Sequence, residues 1–212
     1  AFPCARIQQF YGQTEVAGAC LVLPAEAHVP GGPLHTAGHA LPGFEVRVQD
    51  GEIVVAGEAL MEGYWRDPAR TAEVVRDGWL HTGDVGVMEA NGYIAVVDRL
   101  KDMIVTGGEN VYSLEVEGAI AAHPAVAACA VVGLPDERWG EAVHAIVVLK
   151  KDQAVSAQEL LAFCRGRIAG YKCPKSITFR AAPLPLSGVG KVQKNLLRDE
   201  LAAARKTSSG ER

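Results

Sequence analysis

Three clusters of chemistry-bearing residues stand close together in the middle of the chain. Gly78-Trp79-Leu80-His81-Thr82-Gly83-Asp84 ends on a carboxylate beside a glycine. A carboxylate can accept both hydroxyls of a ribose at once, and the adjacent glycine lets a ligand approach the backbone. Thr-Gly-Asp is equally a turn sequence in which Asp84 would cap its own backbone. Asp98-Arg99-Leu100-Lys101-Asp102-Met103-Ile104 follows, and Arg99 offers a planar donor fork suited to ribose or phosphate oxygens. The alternative for Arg99 is a surface ion pair with Asp98 or Asp102. Thr106-Gly107-Gly108-Glu109-Asn110-Val111 completes the set, with two glycines that either admit a close ligand or make a plain hairpin turn. Tyr11-Gly12-Gln13-Thr14-Glu15 lies upstream. Far downstream, Lys191 ends Pro183-Leu184-Pro185-Leu186-Ser187-Gly188-Val189-Gly190-Lys191, a glycine-bearing loop that can present an ammonium to anions or simply to solvent. A Walker loop is excluded, because Pro185 fills the first glycine position and Val192 replaces the Ser or Thr.

The elements that must position these groups fall into two styles. From Leu21 to Val97 short strands alternate with turn signals at 30–32, Pro42-Gly43, Asp50-Gly51 and Asn91-Gly92. Phe44 to Val48 alternates apolar and polar and leads through Asp50-Gly51 into Ile53-Val54-Val55, a hairpin. Asn91-Gly92 marks a second hairpin, of the type that favours positive φ at both turn residues. After Asp102 helices and strands alternate. Ser113 is expected to cap a helix reaching Ala122, with Glu115 and Glu117 in its first turns. Strands follow at Val126–Val132 and Val143–Leu149. Ser156 caps a helix to about Ile168, a strand lies near Ile177–Phe179, and a short helix spans Val192–Ala203. The fold class is therefore α+β: a β-rich subdomain followed by a small α+β domain.

Composition bounds the function. The chain has 212 residues, 49% hydrophobic and 22% charged, with a formal charge of −4 spread along its length. That excludes the concentrated basic surface of a nucleic-acid-binding protein. No apolar run reaches the ~18 residues of a membrane span, and the first ten residues lack the pattern of a secretory signal, so a cytoplasmic location is expected. The five cysteines, Cys4, Cys20, Cys129, Cys164 and Cys173, form no C-x-x-C pair and suit a reduced compartment. His35 and His39 lie in a glycine-rich stretch without a third ligand and read as loop residues.

In order along the chain, the motifs at Tyr11–Glu15, Gly78–Asp84, Asp98–Ile104, Thr106–Val111 and Gly190-Lys191 resemble those of the AMP-forming acyl-CoA synthetases of the adenylate-forming superfamily. The resemblance extends from Tyr11 to Arg198. That family's phosphate-cradling loop is not in the sequence, which is expected of the C-terminal part of a larger enzyme completed by an N-terminal part. The resemblance implies residues 1–98 as the end of a large adenylate-forming domain. It further implies a hinge at 99–102, a mobile domain at 103–205 and a frayed tail at 206–212. Substrates and cofactors would be a small carboxylic acid, ATP with Mg²⁺, and CoA. Tyr11 would lie against adenine, Thr14 would contact phosphate, and Glu15 would hold Mg²⁺, a hard cation that prefers oxygen. Gly12 and Gln13 would border the acyl pocket. Asp84 would hold the ATP ribose, Arg99 would bind the nucleotide at ribose or phosphate oxygens, and Lys191 would be catalytic in adenylate formation. Gly107 and Gly108 would line the pantetheine tunnel, with Trp139, Tyr171 and Lys172 along the CoA path. Lys101 would occupy the hinge. A carrier-protein-loading enzyme and a non-catalytic nucleotide-binding module are the alternatives.

Overall fold

The computed structural model describes residues 4–209. They form two compact units, divided between Lys101 and Asp102, each with its own core.

The regular structure of the first unit is mostly strand. β1 (Gln9–Tyr11), β2 (Leu21–Leu23) and β3 (His39–Ala40) make a small antiparallel sheet. β4 (Phe44–Gln49) and β5 (Glu52–Gly57) form the first expected hairpin. Asp50 and Gly51 both take positive φ, 50° and 85°, so the turn twists with its strands. A helix not anticipated from the sequence, α1 (Pro68–Val74), follows. Its start is marked by Asp67, whose side chain accepts the Arg70 amide, and by proline at the first helical position, where no N–H is needed. β6 (Val75–Arg76), β7 (Trp79–Met88) and β8 (Ile94–Arg99) complete a five-stranded antiparallel sheet in which β7 is central. Val46, Ile53, Val55, Leu80 and Ile94 point from this sheet into a core shared with Val16, Cys20 and Leu21. The β7–β8 hairpin differs from expectation. Gly92 alone has positive φ, while the Asn91 side chain accepts the Tyr93 amide and Glu89 closes a four-residue turn. Satisfying Asn91 locally removes its reason to enter the left-handed region.

The second unit starts within a 3-10 turn at Leu100–Asp102. It contains β9 (Ile104–Thr106), β10 (Glu109–Val111), α2 (Ser113–Ala121), β11 (Val126–Asp136), β12 (Gly140–Leu149), α3 (Ala157–Arg165), β13 (Ser176–Phe179) and α4 (Lys194–Ser209). Its sheet runs β10-β9-β12-β11, with β13 parallel to β12. Strand periodicity divides its residues between two faces. Val131, Val143, Ala145 and Val147 meet Val116 and Ile120 of α2 and Leu160 and Cys164 of α3. Ala130, Val132, Leu134 and Ile146 meet Leu184 and Leu197. Ile120 and Leu160 are fully buried, each contributing about 1.5–3 kcal/mol by leaving water.

Helix boundaries bring one confirmation and two corrections. Ser156 caps α3 in a reciprocal capping box with Glu159, as its sequence predicts. Ser113 is not the cap of α2. Tyr112 holds that position without a side-chain bond, and the buried Ser113 hydroxyl instead accepts from Lys194. α4 begins at Lys194 rather than Val192, because Val192 bridges Leu186, and it runs to Ser209, through residues expected to fray. The rest of that expected tail, 210–212, lies outside the described residues. Among the described residues no helix is long and apolar enough to cross a membrane. All five cysteines are free thiols.

Candidate functional site

In the first unit the central strand carries Asp84 opposite Arg99 in antiparallel register. Asp84 is therefore a mid-strand residue, not a turn cap. Gly83, at φ 72°, breaks the side-chain alternation of β7, and the register against β5 shifts between Glu52 and Val54. The kink is held from β5. Glu52 accepts the Gly83 amide (2.8 Å) and meets His81 (2.8 Å), while the Thr82 hydroxyl donates to the Ile53 carbonyl (2.7 Å).

Asp84 is 4% exposed, and its carboxylate collects three donors. Arg99 Nε lies 2.9 Å from Oδ1, and Oδ2 accepts from the Tyr11 hydroxyl (2.7 Å) and the Gln13 amide (3.1 Å). Gln13 also donates to the Thr82 carbonyl at 2.9 Å. Burial first, and then the Asp84 charge, push the Tyr11 phenol upward, so it remains a proton donor at any ordinary pH. Arg99 thus pairs with Asp84, and neither Asp98 nor Asp102, the alternative partners its sequence offered, takes its side chain in an ion pair. The Asp98 carboxylate accepts the Arg99 backbone amide, and Asp102 meets Arg198 at 2.8 Å.

Gly12 packs so closely against Gly18 and Ala19 that any Cβ would lie 2.4 Å from the Gly18 carbonyl oxygen. The next residues, Thr14–Val16, form a 3-10 turn. Thr14 is exposed there, while one Glu15 oxygen accepts the Tyr64 hydroxyl at 2.7 Å, which raises the Tyr64 pKa. Among the described residues no cluster of three His, Cys, Asp or Glu side chains could hold a metal, so Glu15 stands as a single carboxylate.

In the second unit, Gly107 and Gly108 are the two central residues of the β9–β10 turn, with φ 61° and 84°. The turn is also a contact point. The Gly107 amide donates to the Trp139 carbonyl (2.8 Å), and a Cβ on Gly107 would come within 2.8 Å of the Trp139 ring. Trp139 is fixed by Asp136, whose carboxylate accepts the Arg138 and Trp139 amides. Arg138 and Lys175, neither singled out by the sequence, place cationic groups 4.6 and 5.8 Å from its ring centroid. Lys172 is not part of this cluster. It is bound by both oxygens of Glu115, whose hydrogen bond raises its pKa, and the half-exposed Tyr171 ring lies beside it.

Lys191 sits at the end of a small hairpin closed by Ser187–Lys191 and Pro185–Gln193 backbone bonds, with Gly190 at φ 79°. Its side chain is exposed. Lys101 is exposed in the 3-10 turn at Leu100–Asp102. Sequence reasoning missed Glu52, Tyr64 and the Lys194–Glu117 pair. Each acts across more than 29 residues of chain, where no local pattern signals it.

Two family models match the chain: AMP-binding enzyme over residues 1–65 and AMP-binding enzyme C-terminal domain over residues 115–191. Feruloyl-CoA synthase from an Amycolatopsis species is 48% identical over 203 residues, 90% of this chain and 40% of that protein. A fatty acid–[acyl-carrier-protein] ligase, ScoC of Streptomyces coeruleorubidus, is 43% identical over 90% of this chain and 39% of its own length. Among solved structures, Bacillus subtilis o-succinylbenzoate CoA synthetase in complex with its acyl-adenylate intermediate superimposes with a TM-score of 0.83. It is 35% identical over 90% of this chain and 40% of that one. The chain belongs to the adenylate-forming family of AMP-binding enzymes. It spans about 40% of the length of the curated relatives it matches.

Proposed function

We propose that the chain is the ribose-binding and lysine-bearing portion of an AMP-forming acid–CoA ligase. The convergence of Tyr11, Gln13 and Arg99 on the buried Asp84 carboxylate carries this reading. The substrate carboxylate attacks the α-phosphorus of ATP, the bond to the β-phosphate bridge breaks, and pyrophosphate leaves. The CoA thiol then adds to the acyl-adenylate carbonyl, loses its proton, and expels AMP.

Asp84 accepts the two ribose hydroxyls by exchanging them for the Tyr11 and Gln13 donors it now holds. Arg99 pairs with the carboxylate and offers its remaining donors to the same sugar. Tyr11 offers its ring to adenine, and Thr14 its hydroxyl to phosphate. Gly12 and Gln13 border the acyl group. Glu15 has one oxygen beyond its Tyr64 bond, which fits Mg²⁺, an ion usually bound by one or two carboxylates plus substrate phosphates. Bound there, the ion would neutralise phosphate charge. Lys191 bridges the incoming carboxylate and the α-phosphate, stabilising charge that builds in the transition state. Lys101 serves as the hinge about which the mobile domain turns between the two half-reactions. Gly107, Gly108 and Trp139 then line the path of the thiol arm, with Tyr171 and Lys172 farther along it. A cytoplasmic enzyme of acyl metabolism fits this substrate set.

The test is pyrophosphate release and thioester formation by the full-length enzyme across a panel of carboxylic acids, with Lys191→Ala alongside. The variant should lose adenylate formation yet still convert preformed acyl-adenylate to acyl-CoA. Absence of pyrophosphate release with every acid would refute the reading. Replacing CoA by a carrier protein tests the second reading, favoured by the likeness to the carrier-protein ligase.

A further inference from the structure

We propose that Lys194 is a positioning residue that sets the Lys191 loop for adenylate formation. The inference rests on the function proposed for Lys191 and starts from a buried charge that this function does not use. Lys194 is the first residue of α4, three positions after Lys191, and its side chain is only 11% exposed. Its ammonium lies 2.7 Å from Glu117 and donates to Ser113 at 2.6 Å, both on α2. The same Glu117 oxygen accepts the Val131 amide of β11 at 2.8 Å. One cation therefore ties the start of α4 to α2 and, through Glu117, to the sheet.

The chain geometry transmits that tie to Lys191. The Gln193 amide donates to the Pro185 carbonyl, the Ser187 amide to the Lys191 carbonyl, and Leu186 bridges Val192. The hairpin is thus a closed unit whose second arm runs directly into Lys194. Leu184 and Val192 pack the base of the hairpin onto the sheet cluster of Ala130, Val132 and Ile146, and a gap remains toward α2. Leu186 and Val192 on one side, and Leu114, Gly118 and Ala121 of α2 on the other, line an open cavity of about 570 Å³. Where side chains leave a gap, the ion pair spans it. A long, flexible lysine would be a poor choice for stability alone, since a buried pair is often replaceable by apolar residues without loss. It does fix a direction, and a misplacement near 1 Å at a reacting group can cost ~10²-fold in rate.

The experiment uses Lys194→Met, Lys194→Arg and the double variant Lys194→Met/Glu117→Gln in the full-length enzyme. The double variant guards against unfolding, because glutamine still accepts the Val131 amide while no buried charge is left alone. We expect kcat for adenylate formation to fall about 10- to 100-fold in both methionine variants. KM for the acid, and the conversion of preformed acyl-adenylate, should be unchanged, and arginine should recover most of the loss. Hydrogen exchange at the Ser187, Gly190 and Lys191 amides should quicken ~10-fold in the folded double variant, with the core strands unaffected. If the folded double variant keeps wild-type adenylation and wild-type loop exchange, the positioning role is wrong. It is also wrong if both half-reactions fall together. Failure of the wild-type enzyme to form adenylate would instead sink the function proposed for Lys191, and the exchange rates alone would then decide whether Lys194 anchors the loop.

Discussion

Asp84 and Lys191 are held in opposite ways. Asp84 is buried in a central strand and met by three donors from two other strands and a loop. Lys191 stands in solvent at the end of a hairpin, and only its backbone is bonded. The contrast follows from what each group would touch. A ribose does not change during acyl transfer, so its acceptor can be built rigidly into a core. A group that stabilises transient charge must reach the reacting atoms, so its precision has to come from the loop behind it.

The sharpest way to break this comparison is Lys191→Ala. We expect adenylate formation to fall about 10²–10³-fold, the scale of losing one transition-state electrostatic contact. Stability should stay within ~0.5 kcal/mol, as for a surface substitution. Pyrophosphate release and a urea titration read the two quantities. Asp84→Ala should do the reverse in kind. It strands the Tyr11 hydroxyl, leaves the Gln13 amide only its Thr82 bond and unpairs the Arg99 guanidinium, and should cost roughly 3 kcal/mol of stability alongside nucleotide affinity. Denaturation with calorimetric ATP binding checks both. If Asp84→Ala were as stable as wild type, Asp84 would be no more built in than Lys191.

Gly107→Ala sharpens the comparison within the second unit. A positive φ and the Trp139 contact should together cost about 1–2 kcal/mol, and thioester formation should suffer more than adenylation. Adding Trp139→Ala should relieve the steric part, visible as a non-additive urea midpoint.

The smallest effect is alkaline. Burial pushes Cys20 up to about 11 and Cys129 up to about 12 from an ordinary 9.0. Because the folded state favours the neutral thiols, their contribution is intact below pH 9 and is lost as pH rises toward 11 and 12. The urea midpoint should therefore fall between pH 8 and 10, and fall less in Cys129→Ala. Near pH 8, the exposed Cys4 should react with thiol reagents before either.

What could be read from the sequence was local. Asp50-Gly51 and Ser156–Glu159 specify their own turn and cap, and both form as their residues demand. Asn91 had two ways to satisfy its side chain, and only the chain around it chose. Ser113 shows the limit more clearly. A serine before an acidic first turn signals a cap, yet its hydroxyl is taken by a lysine 81 residues away. The same limit hid Glu52 behind Gly83 and Tyr64 behind Glu15. The motif residues were recognisable one by one, but the partners that hold them come from other strands and helices.

The contact between Gly107 and Trp139 makes those two positions a single heritable character. A side chain at 107 would displace the indole ring, and losing the indole would remove the reason for glycine's bareness on that side. A descendant of this chain could not gain a side chain at 107 while the indole stays in place. Variation at 107 should arrive only with a change at 139, and a library that randomises 107 alone would return almost nothing but glycine.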